Sequence, residues 1–223
     1  MSKISACLII CDDEKYIEKC IKSILYLDEI IIVIDQKSKD GTERIIKKLK
    51  KKNPHIKILK RKWQGFPKQR NFSMSKATGD WILIIDGDEI LETDYSLHRY
   101  IKDIGEKENI DAFQLYIHNE KKGITRICRN FRLWKNNVGI EYSCGMHENI
   151  DESLSKIKET RPLRTMGLPK VKLLHYGYDL SDEDWNIKCE RNLQNHLQQL
   201  KEEPNNPMVK YHLGLLYQYK AVL

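Results

Sequence analysis

Long apolar runs are missing from this 223-residue sequence, in which no stretch approaches the ~18 residues that a membrane-spanning helix requires. A secretory signal is missing as well, because Met1-Ser2-Lys3 leads directly into a strand-like segment. Hydrophobic residues make up 40% and charged residues 32% of the chain, a balance that suits a packed core. We therefore expect a folded cytoplasmic protein, and neither a transmembrane nor a secreted one.

Paired cysteines are also lacking, since none of the six cysteines stands in a C-x-x-C arrangement. Cys7 and Cys11 lie in or beside an apolar run. Because there is neither an export signal nor a paired spacing, we expect reduced thiols rather than a disulfide framework or a zinc site.

Glycine-rich phosphate-binding motifs are absent. No segment matches G-x-x-x-x-G-K-[ST], and no G-x-G-x-x-G follows the first apolar run, which argues against a P-loop enzyme and an NAD-binding Rossmann enzyme. A nucleotide would need other partners for its phosphates. A metal ion, together with Lys68, Arg70 and Lys76, could neutralise a diphosphate, although these cations could equally form a solvated helix face.

Basic residues outnumber acidic ones, with 39 Lys and Arg against 32 Asp and Glu and a formal net charge of +7. This excess suits anionic partners such as nucleotides, and a lysine-rich soluble surface explains it equally well. A nucleic-acid partner would rest on the charge alone, so none is expected. The basic run at residues 47–52 lacks interleaved aromatic residues, so contact with an anionic membrane has weak support.

The first ninety residues alternate between two kinds of segment. Short apolar runs at residues 5–10, 30–34, 56–59 and 81–85 predict strands, and segments with helical spacing at 16–24, 45–49 and 68–76 lie between them. Strands that are apolar on both faces and alternate with helices predict a parallel sheet covered on both sides. The expected fold class is α/β, with a doubly wound layer.

The second half has a different pattern. We predict a helix at 95–106, strands at 112–118, 127–134 and 171–178, a turn at 136–139, a mobile charged loop at 153–169, and helices from residue 181 with a break at 204–207. We divide the chain into a domain at 1–180, with a nucleotide-binding half at 1–92 and an acceptor-side half at 93–180, and a helical extension at 181–223.

The C-terminal segment resembles part of a repeat. Leu213, Gly214 and Tyr217 match the tetratricopeptide signature W-x2-L-G-x2-Y, with Lys210 in the place of Trp. A 34-residue repeat that begins near Pro207 could not finish within this chain, so the natural protein is expected to continue beyond it. An ordinary terminal helix pair is the alternative.

Carboxylates follow three of the predicted strands. Asp12 and Glu14 follow the first, Asp35 ends the second, and Asp86 and Asp88 follow the fourth. In an open α/β sheet these strand ends meet where ligands bind. Their mutual repulsion would be relieved by a hard divalent cation, for which oxygen ligands suit Mg²⁺ or Mn²⁺.

The Asp86-Gly87-Asp88 motif is the sharpest of these signals. Two carboxylates at i and i+2 can hold one metal, and Gly87 allows a ligand to approach the backbone. Asp-Gly between apolar runs also signals a hairpin turn. Residues 89–94 do not form a convincing returning strand, so the metal interpretation is favoured.

The order of these motifs resembles family 2 glycosyltransferases of the GT-A fold. The segments that carry the resemblance are SACLIICDDE at 5–14, IIVID at 31–35, SKDGT at 38–42, WQGFPKQRN at 63–71, ATGDW at 77–81 and DGD at 86–88. Asp12 stands where the family usually has Asn. Downstream, CGMHE at 144–148 and LHYGY at 174–178 are similar to elements of the lipopolysaccharide-core and peptide-modifying branches, and Arg191 to Leu193 to the tetratricopeptide-bearing ones.

The resemblance implies a metal-dependent transferase that moves a sugar from a nucleotide-diphospho-sugar, with a UDP-sugar as the first guess, by inverting displacement. It implies a mixed, mainly parallel sheet with helices on both faces, and Mn²⁺ or Mg²⁺ as cofactor. The acceptor stays open between a glycan, a lipid-linked sugar and a peptide.

The resemblance also implies roles for single residues. Asp35 would bind the base, Asp12 or Glu14 would line the nucleoside pocket, and Arg70 would face the nucleotide or its phosphates. Asp86 would contact ribose or metal, and Asp88 would bind the metal. The remaining candidates are His175 as a further metal ligand, Glu148 as the general base beside His147, and Asp151 and Glu152 as alternatives to Glu148.

Two other classes of protein compete with this interpretation. A sugar nucleotidyltransferase would usually carry a Gly-rich, Lys- or Arg-bearing loop after the first strand, where this chain has Cys11-Asp12-Asp13-Glu14. A non-catalytic glycosyltransferase-like scaffold or binding module would bind a partner without turning over a donor. Donor turnover separates the scaffold from the enzyme.

Overall fold

Isoleucine-rich runs form the centre of one mixed sheet in the computed structural model, which describes residues 2–121, 123–143, 148–178 and 181–221. The strands are β1 (Ile4–Ile10), β2 (Glu29–Asp35), β3 (Ile56–Arg61), β4 (Trp81–Ile84), β5 (Glu89–Thr93), β6 (Ala112–Lys121), β7 (Ile124–Lys135) and β8 (Thr165–His175). They pair in the order β3-β2-β1-β4-β7-β6-β8-β5.

The helices follow the apolar spacing of the sequence. They are α1 (Ile17–Ile24), α2 (Thr42–Lys50), α3 (Phe66–Met74), α4 (Leu97–Tyr100), which continues as a π-helical segment (Ile101–Glu106), α5 (Asp151–Thr160), α6 (Asp182–Glu202) and α7 (Pro207–Ala221). In α1, for example, the buried residues are those at helical spacing. Within the described residues, no helix combines the length and the apolar character needed to cross a membrane.

The parallel half of the sheet places its strand ends together. β1 pairs in parallel with β2 and β4, and β2 pairs in parallel with β3. β7 then continues the sheet antiparallel to β4, while β6 and β8 run parallel to each other. The loops that follow β1, β2 and β4 therefore meet at one side, the C-terminal edge of the sheet, as the sequence predicted.

Both faces of the sheet are covered. One core cluster joins Ile4 and Leu8 of β1 to Ile21 of α1, and to side chains of α2 and α4. The opposite cluster joins Cys7 and Ile31 to residues of α3 and α5. Because successive strand residues point to opposite faces, strands buried on both faces contain few polar positions. This confirms the predicted mixed α/β fold with helices on both faces.

The last two helices form a separate pair. α6 and α7 pack through a small cluster that contains Leu193, Val209 and Leu213. The break between them falls at Pro204 to Pro207, as the sequence predicted. The domain limits at 1–180 and 181–223 stay a prediction.

The predicted mobile loop at 153–169 is wrong. The segment contains α5 and the start of β8. Leu154 and Ile157, three residues apart, are buried and supply the apolar contact that fixes an otherwise charged helix. Pro169 is tolerated in β8 because the register with β6 shifts between Leu168 and Lys172, so no ladder hydrogen bond is needed there.

Residues 89–93 form a strand, which the sequence pattern did not indicate convincingly. β5 pairs antiparallel with β8 at the far end of the sheet and not with β4. The Asp86-Gly87 dipeptide is therefore not the turn of a hairpin between β4 and β5. The chain instead crosses the C-terminal edge between two distant strands.

Candidate active site

Asp12 holds the loop that follows β2. Its Oδ1 accepts hydrogen bonds from the backbone N–H of Lys39 at 2.7 Å, from that of Asp40 at 3.3 Å and from the Ser38 hydroxyl at 3.2 Å. Burial raises the pKa of Asp12, but these donors outweigh it and leave the pKa below its usual value. The side chain thus joins the loops after β1 and β2.

Glu14 makes a second connection between the same loops. Its Oε2 accepts from the N–H of Gly41 at 2.8 Å, immediately before α2, and its Oε1 pairs with Arg44 at 3.2 Å. A carboxylate at this helix N-terminus satisfies a backbone donor and interacts favourably with the helix dipole. Both predicted nucleoside-pocket carboxylates therefore shape the loop, since Asp12 Oδ1 and Glu14 Oε2 accept from its backbone donors.

Asp35 and Asp13 are two further carboxylates at the ends of β2 and β1. Asp35, at the end of β2, is buried and accepts from the N–H of Lys37 at 3.1 Å. Sequence reasoning did not single out Asp13, whose Oδ2 accepts from the N–H of Cys11 at 3.1 Å. Burial, followed by the charge of Asp88, raises the pKa of Asp13 to about 7.

Gly87 is required by the close approach of two loops. A Cβ at this position would lie 2.8 Å from Ile10 Cδ1 and 2.9 Å from Asp13 Oδ2. A larger residue would require the side chains of Ile10 and Asp13 to move.

Asp86 lies between two arginines. Its Oδ1 pairs with Arg70 at 2.6 Å and its Oδ2 with Arg132 at 3.1 Å. Arg132 also pairs with Glu89 at 2.9 Å, and Glu89 accepts from the N–H of Asp86 at 2.9 Å. Burial raises the pKa of Asp86, but the two guanidinium groups hold it well below its usual range. For Glu89, burial dominates over Arg132 and raises the pKa to about 7.

Arg132 is a site residue that the sequence analysis missed. The β6–β7 register shifts between Phe113 and Gln114, opposite Arg132, and such bulges redirect a side chain next to active sites. The available signal was a charged residue inside the apolar end of a predicted strand, between Phe131 and Leu133.

Glu148 and Arg70 lie together in the wall of a cavity of about 370 Å³, which we call the Glu148 cavity. Glu148 Oε1 lies 3.3 Å from both Nε and an Nη of Arg70. Burial raises the pKa of Glu148 although Arg70 opposes the shift. The remaining lining residues are Asp86, Asn130, Phe131, Arg132, Tyr142, Asn149, Ile150 and Asp151.

Asn71 holds the chain segment that leads to Glu148 and its cavity. Its side chain donates to Tyr142 O at 2.9 Å and accepts from Tyr142 N–H at 2.8 Å. Ser143 and Asn149 then exchange two backbone hydrogen bonds that flank Glu148. The Q-R-N segment of α3 therefore positions both Arg70 and the strand-like segment that leads to Glu148. The predicted H-E partner His147 lies outside the described residues.

The other predicted residues are less central. Asp151 lines the Glu148 cavity from the first turn of α5. Glu152 instead pairs with Lys156 at 2.7 Å and is exposed. Lys68 is exposed, and Lys76 lies over the ring of Phe72, 4.9 Å from its centre.

Asp88 and His175 form a second group on the other side of Gly87. His175 Nε2 lies 3.3 Å from Asp88 Oδ2. His175 Nδ1 lies 2.7 Å from Asn119 Oδ1, and the Asn119 amide nitrogen donates to Arg126 O at 3.2 Å. Because the Asn119 amide nitrogen donates to a carbonyl, the atom of Asn119 next to His175 is the oxygen, which can only accept. His175 Nδ1 therefore carries a proton, and Nε2 faces Asp88.

This pair fits a divalent cation. Adjacent ligands around an octahedral ion with bonds of 2.0–2.1 Å lie about 3 Å apart, close to the separation of Nε2 and Oδ2. Burial lowers the pKa of His175, but the bond to Asp88 outweighs burial and raises it, and a metal would replace that proton. Within the described ranges no three His, Cys, Asp or Glu side chains form a metal cluster, so an ion at this pair would take further ligands from water or from a bound molecule.

The C-terminal edge thus carries two neighbouring groups: an arginine-bound carboxylate beside a buried glutamate, and an Asp–His pair suited to a cation. With an α/β sheet whose carboxylate-bearing loops follow β1, β2 and β4, this is the architecture of a GT-A domain. The fold agrees with two solved structures. S. aureus TarS in complex with UDP superposes with a TM-score of 0.61 at 16% identity, over 87% of this chain and 65% of that one. The mannosyltransferase PcManGT from Pyrobaculum calidifontis, in complex with GDP-Man and Mn²⁺, gives 0.60 at 13% identity, over 98% and 69%.

Sequence comparison identifies the family. Residues 5–160 match the family described as Glycosyl transferase family 2, and the chain belongs to that family. A TPR repeat-containing protein of Synechococcus elongatus is 30% identical over 182 residues, which are 80% of this chain and 43% of that protein. The chain matches between 33% and 48% of the length of several curated relatives.

Proposed function

We propose that the protein is a metal-dependent glycosyltransferase that moves a sugar from a nucleotide-diphospho-sugar to an acceptor by inverting displacement. The main support for the proposal is that the two carboxylates of the 86–88 motif have different partners. Asp86 faces Arg70 and the Glu148 cavity, whereas Asp88 faces His175. A donor diphosphate at Asp88 would therefore leave its sugar near a buried carboxylate.

The donor class is supported by the solved relatives of the fold. TarS is described in complex with UDP and with UDP-GlcNAc, and PcManGT with GDP-Man and Mn²⁺. We propose a UDP-sugar first and a GDP-sugar second. In this scheme Asp35 binds the base, and Asp12 and Glu14 hold the loop against which the nucleoside lies.

Each step of the proposed transfer is assigned to particular residues of this chain. Asp88 and His175 would hold Mn²⁺ or Mg²⁺, which as a Lewis acid stabilises the leaving diphosphate. Arg70 and Arg132 keep Asp86 ionised and fix its direction towards the sugar side of the site. Glu148 accepts the proton of the acceptor hydroxyl, and burial favours that role because it raises the carboxylate's affinity for a proton.

A thermal-shift screen tests the donor assignment. UDP, GDP, CDP and ADP are each compared with and without Mn²⁺. A nucleoside diphosphate present at about 100 times its dissociation constant stabilises the folded state by about 2.7 kcal/mol, which raises the melting temperature measurably. We expect a metal-dependent shift with UDP. A folded sample that responds to no nucleotide would contradict the proposal and favour a non-catalytic scaffold.

Asn119 provides a test of the metal pair. Asn119→Ala removes the acceptor that orients His175, so we expect Mn²⁺ affinity to fall about 10–100-fold, the usual effect of losing such a partner. Asn119→Asp keeps an acceptor for Nδ1–H and is expected to retain near wild-type affinity. Mn²⁺ titration followed by electron paramagnetic resonance measures both. Equal affinity in Asn119→Ala and wild type would remove His175 from the ligand set.

A further inference from the structure

The helix α6 begins beside the Asp88–His175 pair. Lys188 Nζ donates to Gly177 O at 2.7 Å and lies 4.7 Å from the centre of the Tyr178 ring. Gly177 in turn abuts Asp88, because a Cβ at Gly177 would overlap the Asp88 carboxylate. A single glycine therefore separates the Lys188 ammonium from the carboxylate that we assign to the metal.

The helix α6 carries a second cation, one turn after Lys188. Arg191 lies three residues after Lys188, so both project from one side of the helix. Arg191 is exposed to solvent there.

Lys188 and Arg191 have more N–H donors than their hydrogen bonds within the described residues use. An ammonium has three N–H donors, and Gly177 O uses one of those of Lys188. Among the described residues, neither Lys188 nor Arg191 forms an ion pair with a carboxylate. Burial also lowers the pKa of Lys188, a cost that an adjacent anion would offset.

We propose that Lys188 and Arg191 bind the diphosphate of the nucleotide donor, so that α6 completes the phosphate-binding part of the site. The inference rests on the proposed function. A diphosphate beside one divalent ion keeps negative charge, and an ammonium and a guanidinium would stabilise it by charge-assisted hydrogen bonds. The helix α6 is then a component of the donor site as well as part of the helical extension.

The test compares UDP with uridine, in Mg²⁺, for Lys188→Gln and Arg191→Gln. Calorimetry measures the binding of UDP, and ligand-observed NMR measures that of uridine, which lacks both phosphates. We expect each variant to bind UDP about ten-fold more weakly, the usual effect of losing one charged hydrogen bond, with uridine affinity unchanged. If the thermal-shift screen shows that the protein binds GDP rather than UDP, GDP and guanosine are used in place of UDP and uridine. Lys201→Gln, at the far end of the same helix, is the matched control and should bind both like wild type.

The outcomes separate this inference from the proposed function. Wild-type binding of UDP with no loss in either variant overturns the inference and leaves the transferase assignment intact. Equal weakening of UDP and uridine shows that the variants disturb the fold, and also overturns it. If wild type binds no nucleoside diphosphate, the proposed function falls and the inference with it.

Discussion

Glu148→Gln is expected to keep donor binding and to lose sugar transfer. The substitution preserves the shape of the side chain and an oxygen that can accept from Arg70, so the Glu148 cavity should stay intact. It removes the group that takes the acceptor proton, and a positioned general base typically contributes 10²–10⁴-fold to rate. Release of nucleoside diphosphate from the donor sugar that wild type turns over measures the loss.

Glu152→Gln is the matched control for this variant. Glu152 lies four residues along the chain in the first turn of α5, where it pairs with Lys156 on the surface. Its rate should stay near that of wild type. Near wild-type turnover in Glu148→Gln would remove Glu148 as the base, and a large loss in an Asp151→Asn variant would transfer the role to the other acid that lines the cavity.

Arg132→Met is expected to destabilise the fold by about 1–3 kcal/mol, and by more as the pH rises above 7, because Asp86 loses a partner and Glu89 then ionises without one. Glu89 is 1% exposed and pairs with Arg132 at 2.9 Å, and Asp86 loses one of its two guanidinium contacts. A loss of this size is a large part of a typical domain's stability of about 5–15 kcal/mol. Urea unfolding followed by circular dichroism measures it.

Two further variants show whether the buried charge is the cause. Arg132→Met combined with Glu89→Gln removes the unpaired carboxylate and should recover much of the stability. Arg129→Met, an exposed position on the same strand, should change stability by no more than about 0.5 kcal/mol. A double variant as unstable as Arg132→Met would show that the loss comes from packing rather than from the charge of Glu89.

The nucleotide half of the fold was predictable from local pattern. Runs such as 30–34 are apolar at every position because both faces of the sheet are covered, and the loops after them begin with polar residues. Asp35, Asp86 and Asp88 could be placed at one edge from strand ends alone, since parallel strands end on the same side. The second half was harder, because α5 is fixed by only a few apolar contacts within a charged segment.

Partners that are distant in sequence could not be predicted. Arg132 reaches Asp86 across 46 residues, Asn119 reaches His175 across 56, and a bulge in the β6–β7 pairing decides where Arg132 points. Lys188 contacts Gly177 because α6 begins shortly after β8 and its second turn lies beside the end of that strand. None of these pairings leaves a periodic or motif signal.

The sequence by itself determined the α/β class, the strand ends that carry carboxylates and the resemblance to family 2 glycosyltransferases. These follow from hydrophobic periodicity and residue spacing, which act over a few neighbouring positions. Only the tertiary structure decided that Asp86 lies between two arginines, that Asp88 faces His175, and that Glu148 is buried against Arg70. Charges interact through space over a few ångströms, so the ionisation and direction of each carboxylate depend on which distant groups the fold brings beside it.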